Sequence, residues 1–212
     1  MQPYRELSIP TTVEQVCDPH RMALLVYDMQ VGVLARIPDA QGVTVRVGEV
    51  LAAARSAGVR TFFTRHMTLP VEVTGVSGLR TAMAWQRTED VHTVVSTFPR
   101  DSPQFQLIPE LNVRAEEGVF DKITMSAFLG TPLDLVLRDA GIDALAIVGV
   151  ALEVGIEPTV RHAMDLGYLP VLITDACGYG NQEAAGRALD QLAYVGGSLQ
   201  TNSATVCDLL TR

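Results

Sequence analysis

Two charged side chains stand where apolar neighbours would exclude them unless they had work to do. Asp28 ends the run MALLVYD, and Lys122 lies in GVFDKITMSAF between Phe120 and Ile123. An acid behind an apolar strand either caps the next turn or serves as general acid, general base or phosphate-site ligand. Burial raises its pKa, and a neighbouring cation lowers it. A lysine among apolar residues either snorkels to water from an edge strand or is paired inside the protein. A third position is notable for what it lacks. Gly155, in IVGVALEVGIEPTVRHAMDLGY, sits where a strand hands over to a helix, with no nucleophile at the tip. Glycine there gives a tight turn or close packing. Alternatively it opens a space where substrate lies against backbone N–H groups, which favour negative charge at a helix start.

The remaining candidates are dispersed. His20, His66, His92 and His162 form no HxH or HExxH pair, and no CxxC is present. A zinc or iron site needs three or four converging ligands, so neither a metal nor another cofactor is expected. His66 directly follows a strand beside Arg65 and is placed to face a pocket or to turn from it. His162, within a helix, reads as a surface or packing residue. Trp85 is either a packing anchor or a platform for substrate. There is no Walker lysine motif and no GxGxxG after the first strand, which argues against a nucleotide.

These residues must be positioned by strands alternating with helices. Residues 22–28 form the first strand, and a helix beginning near Val43 stops at Gly58. VRTFFTR is the second strand. Residues 67–90 lose the rhythm and read as an inserted loop or flap, after which VHTVVST is a short third strand. SPQFQLIPEL gives a partial turn or short helix, and EEGVFDKITMSAF returns the chain to the sheet edge. GTPLDLVLRDAG is a helix with Thr131 as cap, Pro132 at its first position, Asp134 at the capping-box position and Gly141 at its end. IDALAIVGV and LPVLITDAC are further strands, each followed by a helix, and TNSATVCDLLTR adds an edge strand or a short helix. Such alternation predicts an α/β fold of three α-β-α layers around a central parallel sheet. Without a break in composition, residues 1–212 are expected to form a single domain.

Bulk properties narrow the partners. Sixteen basic against twenty-four acidic residues give a net charge of −8, unsuited to a broad grip on nucleic acid. Cys17, Cys177 and Cys207 are too few and too far apart for a disulfide scaffold, which implies a reducing, cytoplasmic setting. The N-terminus does not read as a secretory signal, and no apolar run is long enough to cross a bilayer.

Four segments, LLVYDMQ, FDKITMSAF, GVALEVGIEPTVRHAMDLGY and VLITDAC, together resemble the isochorismatase-like hydrolase family over nearly the whole chain. The resemblance implies working residues at Asp28 and Lys122, with the family's usual cysteine position falling on Gly155. It also implies a cis peptide at Val150–Ala151, and a substrate-binding or oxyanion region formed by Gln30, His66, Trp85, Phe128, Val150, Ala151 and Gly155. Cys177 lies after another strand and does not replace the missing thiol. Cysteine members such as nicotinamidases, carbamoylsarcosine and ureidoacrylate amidohydrolases attack C–N bonds through a thioester-like intermediate, a route closed without a thiol. Isochorismatases and aminodeoxyisochorismate hydrolases lack that cysteine and cleave a vinyl ether to release pyruvate. The resemblance therefore implies an isochorismate-like substrate, Asp28 as general acid, and Lys122 holding Asp28 and the substrate carboxylate. Glu153 and Glu157 would oppose a dicarboxylate if they faced the pocket. The alternatives are a non-cysteine hydrolase of a small amide, ether or imine, and an inactive metabolite-binding member. A homo-oligomer, most simply a dimer, is expected, with Leu69, Val71, Val73 and Trp85 available for contact.

Overall fold

The computed structural model describes residues 1–212. A small antiparallel hairpin, β1 (Gln2–Tyr4) and β2 (Leu7–Ile9), precedes the main sheet. The chain then runs through β3 (Met22–Tyr27), α1 (Val31–Leu34), α2 (Ala40–Ser56), β4 (Arg60–His66), α3 (Val76–Gln86) and β5 (Gly118–Lys122). It continues as α4 (Leu133–Asp139), β6 (Ala144–Val150), α5 (Glu157–Asp165), β7 (Leu169–Gly178), α6 (Gln182–Val195), β8 (Leu199–Thr201) and α7 (Ser203–Leu210). No helix is long and apolar enough to cross a membrane.

The six-stranded sheet has the order β5-β4-β3-β6-β7-β8, and every neighbouring pair is parallel. The chain starts mid-sheet, winds out to β5, then crosses back beside β3 and winds out to β8. The β3/β6 boundary is thus the switch point, outside whose carboxyl ends open α/β sheets bind ligands. Side chains alternate along each strand. Leu24 and Val26 face one layer with Val47 and Leu51 of α2, while Ala23, Leu25 and Tyr27 face the other with Leu137 of α4 and Val160 of α5. Burial on both faces explains the continuous apolar runs of β3 and β6. Truncating Leu25, fully buried at the centre, to alanine would cost about 2–5 kcal/mol.

β3 and β6 meet closely at the site end. Gly149 has φ +120°, and a Cβ there would overlap the Tyr27 carbonyl, so this strand position requires glycine.

Several elements differ from expectation. The first long helix starts at Ala40 because the Asp39 carboxylate accepts the Gly42 N–H at 3.2 Å. Within residues 67–90 the chain forms α3, which has no buried residue and so lacks the apolar stripe by which a helix is read. VHTVVST is not a strand. Val91–Thr93 make a 3-10 turn, and Val95 bonds the Gln86 side chain through both its N–H and its carbonyl instead of joining a ladder. α4 begins one residue late, with Pro132 as N-cap. Thr131 Oγ1 accepts from Leu133 N at 3.3 Å, while Asp134 pairs with Arg138 and Tyr168 rather than closing a capping box. The C-terminal segment supplies both alternatives, β8 and α7.

Candidate active site

β3 ends at Tyr27, and Asp28 turns the chain with φ +45°, a left-handed conformation aspartate tolerates better than most residues. The turn places its carboxylate between two neighbouring strands. Oδ1 accepts from Thr64 Oγ1 of β4 at 2.7 Å, and Oδ2 accepts from Lys122 Nζ of β5 at 2.6 Å. The Lys122 side chain is 0% exposed and that of Asp28 6%. The ammonium also donates to the Thr124 carbonyl at 3.2 Å and lies 4.3 Å from the centroid of the Tyr27 ring. Burial pushes the Lys122 amine below the usual lysine value, with Asp28 opposing that shift. Burial likewise holds the Tyr27 phenol well above its ordinary range, aided by the charge of Asp28.

On the other side of the switch point β6 ends at a Val150–Ala151 peptide that is cis. A wide π turn, Leu152–Ile156, follows before α5. The Ala151 carbonyl accepts the N–H groups of Val154, Gly155 and Ile156 at 3.3, 3.0 and 3.2 Å. Two expectations about Gly155 are therefore corrected. Its N–H is occupied within the turn and is not free to bind an oxyanion. Nor does the glycine leave open space, because a Cβ would overlap the Tyr27 hydroxyl and lie 2.5 Å from the ring carbon bearing it. That hydroxyl is fixed by donating to the Met125 carbonyl.

Tyr27, Asp28, His66, Trp85, Val150, Ala151 and Gly155 line one cavity of about 340 Å³. A larger groove of about 810 Å³, walled by α3, shares His66, Trp85, Phe98 and Met125 with it. The His66 ring lies 6.5 Å from that of Trp85 and 6.3 Å from that of Phe98. Its pKa is pushed below the usual imidazole value first by burial and then by the Lys122 charge. Gln30 and Phe128 are not on this wall. Gln30 is fully buried, its Nε2 donating to the carbonyls of His66 (3.0 Å) and Phe105 (2.7 Å) while Oε1 accepts His66 N–H at 2.6 Å. It ties the end of β3 to the end of β4, leaving no polar atom for substrate. Phe128 packs in the core, stacked on Tyr168 at 5.7 Å. Sequence reasoning missed Tyr27 and Thr64, whose polar tips at strand ends were the available signal, and Arg36 and Arg87 at the cavity mouth. Glu153 lines the cavity, whereas Glu157 is paired with Arg161. Cys177 is buried, with its thiol pushed up by desolvation, and His162 bonds Ser126 Oγ at 2.8 Å. No three His, Cys, Asp or Glu side chains converge as metal ligands.

A family model for the isochorismatase domain matches residues 22–204. The chain belongs to the isochorismatase-like hydrolase family. Among its relatives, the ureidoacrylate amidohydrolase RutB of Pseudomonas syringae pv. syringae is 29% identical over 206 residues, covering 89% of this chain and 82% of that protein. The isochorismatase family protein YwoC of Bacillus subtilis is 42% identical over 79 residues, 37% of this chain and 41% of its own length. The fold of this hydrolase is also that of a cysteine hydrolase from Pseudomonas syringae pv. phaseolicola, with a TM-score of 0.78 and 22% identity, covering 92% of this chain and 95% of the other.

Proposed function

We propose that this hydrolase cleaves the vinyl ether of an isochorismate-like substrate to release pyruvate, without a covalent enzyme intermediate. The observation that carries the reading is the Tyr27 phenol filling the volume a side chain at residue 155 would need. The position where the family resemblance places a cysteine nucleophile thus has neither a thiol nor room for one. What remains on the cavity lining is Asp28, paired with the buried Lys122, which does not itself line the cavity.

That pair suits acid catalysis. Moving one proton from Lys122 Nζ to Asp28 Oδ2 leaves the net charge unchanged, and burial favours the uncharged amine. The resulting carboxylic acid delivers its proton to the methylene carbon, whose π electrons form the new C–H bond and leave an oxocarbenium ion. Water adds to that cation and returns a proton to the Asp28 carboxylate. The hemiketal then breaks its C–O bond to give pyruvate and the ring alcohol. Thr64 orients the carboxyl through Oδ1. The enzyme in this reading is a single-domain, cytoplasmic homodimer that needs no cofactor, and sedimentation that gave a monomer at micromolar concentration would remove the dimer.

A second reading, hydrolysis of a small amide by a route that uses no thiol, is favoured by the likeness to the ureidoacrylate amidohydrolase along most of the chain. One experiment separates the two: isochorismate, aminodeoxyisochorismate and a panel of small amides are assayed in parallel with wild type and Asp28→Asn. Asp28-dependent pyruvate release supports the first reading. Asp28-dependent amide cleavage with both enol ethers untouched supports the second, and no turnover at all leaves a metabolite-binding protein.

A further inference from the structure

Two apolar surfaces of this chain stand uncovered, the β1–β2 hairpin and the groove walled by α3. Directly opposed residues of an antiparallel pair share a face. The register Tyr4↔Leu7 and Gln2↔Ile9 therefore puts Tyr4, Leu7 and Ile9 on one side of the hairpin, with Pro3 and Ser8 on the other. Every residue of both strands is exposed, Tyr4 at 61% and Leu7 at 60%. A lone two-stranded hairpin is marginal in water unless its apolar face packs on something. The groove has the converse need. No Asp, Glu, Lys or Arg lines it, in a chain with sixteen basic and twenty-four acidic residues. Its lining includes the exposed Val76, Trp85 and Val95 on one side and Ile123 and Leu129 on the other, and α3 buries no residue at all. Apolar surface of this extent marks a contact site. Within one copy the two surfaces do not meet. The segment after the hairpin is anchored by Val16 in the core layer that also holds Met22, at the amino end of β3. The groove opens past the carboxyl ends of β4 and β5, at Met67 and Thr124, and none of residues 1–10 lines it.

We propose that a second copy of this chain fills the groove: the hairpin of each protomer lays its Tyr4–Leu7–Ile9 face against the α3 groove of the other. Such an exchange is reciprocal and closes under two-fold symmetry, with the axis across the strands so that the amino end of one sheet faces the carboxyl end of the other. Each copy then contributes both an arm and a groove, so the contact is made twice, which helps it reach the roughly 800 Å² per partner of a stable interface. The exchange also bears on the site. His66, Trp85, Phe98 and Met125 are walls common to the groove and the cavity, so a hairpin seated in the groove covers the cavity from that side and keeps water from the shared wall. This deepens the proposed function and rests on its homodimer, to which it assigns the joining segments.

The test damages the arm and the groove separately. Sedimentation at micromolar concentration reads assembly, and the emission of Trp85, the single tryptophan of the chain, reads coverage of the groove. The samples are wild type, Leu7→Asp, Val76→Asp and an equimolar mixture of the two variants. Wild type should sediment as a dimer with short-wavelength emission. Each variant alone has no intact junction, so its dissociation constant should rise at least about hundredfold and its emission should shift to longer wavelength. In the mixture the Leu7→Asp copy offers an intact groove and the Val76→Asp copy an intact hairpin, so one junction forms and dimer partly returns. Leu7 and Val76 are exposed within a copy, and circular dichroism should show both variants folded as wild type. Removal of residues 1–10 should reproduce Leu7→Asp even where that variant misfolds. A wild-type dimer that neither substitution dissociates overturns the exchange while leaving the dimer in place. Dissociation by Leu7→Asp but not by Val76→Asp would mean that hairpin pairs with hairpin, and also overturns it, as does dissociation by both with no recovery on mixing. A wild-type monomer removes the exchange and the dimer together, and pyruvate release decides the proposed reaction independently of either.

Discussion

Asp28 and Glu153 line one cavity in opposite conditions. Asp28 has a hydroxyl on one oxygen and an ammonium on the other, whereas Glu153 has two amides on one oxygen and nothing on its buried second. The difference separates two uses of a buried acid. A carboxyl whose partners all come from the protein is set up to exchange a proton within a fixed geometry. A carboxyl whose one bonded oxygen ties two chain segments together carries a desolvation cost on the other. Experiments that disturb each set of partners test whether that division holds.

The largest expected effect is on Asp28. Asn at this position keeps the shape but has no proton of suitable acidity, so the rate should fall about 10²–10⁴-fold. Steady-state kinetics on the substrate identified by the panel decides this, and a rate within a factor of a few of wild type would remove Asp28 from the chemistry. Next comes Lys122→Met, which deletes the cation and strands a buried carboxylate. Urea unfolding should show a loss of about 3–5 kcal/mol. Combining it with Asp28→Asn should recover part of that loss, because the stranded charge is then gone. A Lys122→Met protein as stable as wild type would mean that Asp28 had never depended on its partner.

Much of this arrangement was legible before the structure. Asp28 and Lys122 each interrupt an apolar segment, and strands buried on both faces, such as MALLVYD and IDALAIVGV, announce themselves as unbroken apolar runs. What stayed hidden depends on contacts between distant parts of the chain. Gly155 looks like empty space in one dimension, and only the packing of β3 against the turn after β6 reveals that Tyr27 occupies it. α3 was missed because a helix that buries nothing leaves no stripe, and VHTVVST was misread because β-branched residues make a strand only where an edge receives them. Gln30 stands near enough to Asp28 to invite a role in binding. Its amide is already occupied on both sides, which its identity alone could not show.

The Tyr27–Gly155 contact gives the third prediction and sharpens the comparison at the wall between the two acids. Gly155→Ala forces the Tyr27 ring to shift, and overpacking of this kind costs about 1–3 kcal/mol. Tyr27→Leu removes the atoms in conflict, so the double mutant should lose less than the sum of the single losses. Additive losses in chemical denaturation would show that the strain at residue 155 lies elsewhere. Gly155→Cys should be destabilised in the same way rather than gain a working nucleophile.

The smallest expected effect concerns His66, which borders the cavity and feels both members of the Asp28–Lys122 pair. Burial, assisted by the Lys122 charge, sets its folded pKa below the usual value of 6.5. Between that depressed value and 6.5 the unfolded chain binds more protons than the folded one, so stability rises with pH across the window and is lost as pH falls. One group contributes a slope of at most about 1.4 kcal/mol per pH unit. The carboxylates held below their usual values, among them Glu117 and Asp134, titrate at lower pH and leave this window largely to histidine. Urea titrations of wild type and His66→Gln between pH 5 and 7 isolate the contribution, and the slope of the variant should be the shallower. Equal slopes would place the His66 ring in water, and would open to solvent the side of the cavity on which the buried Asp28–Lys122 pair depends.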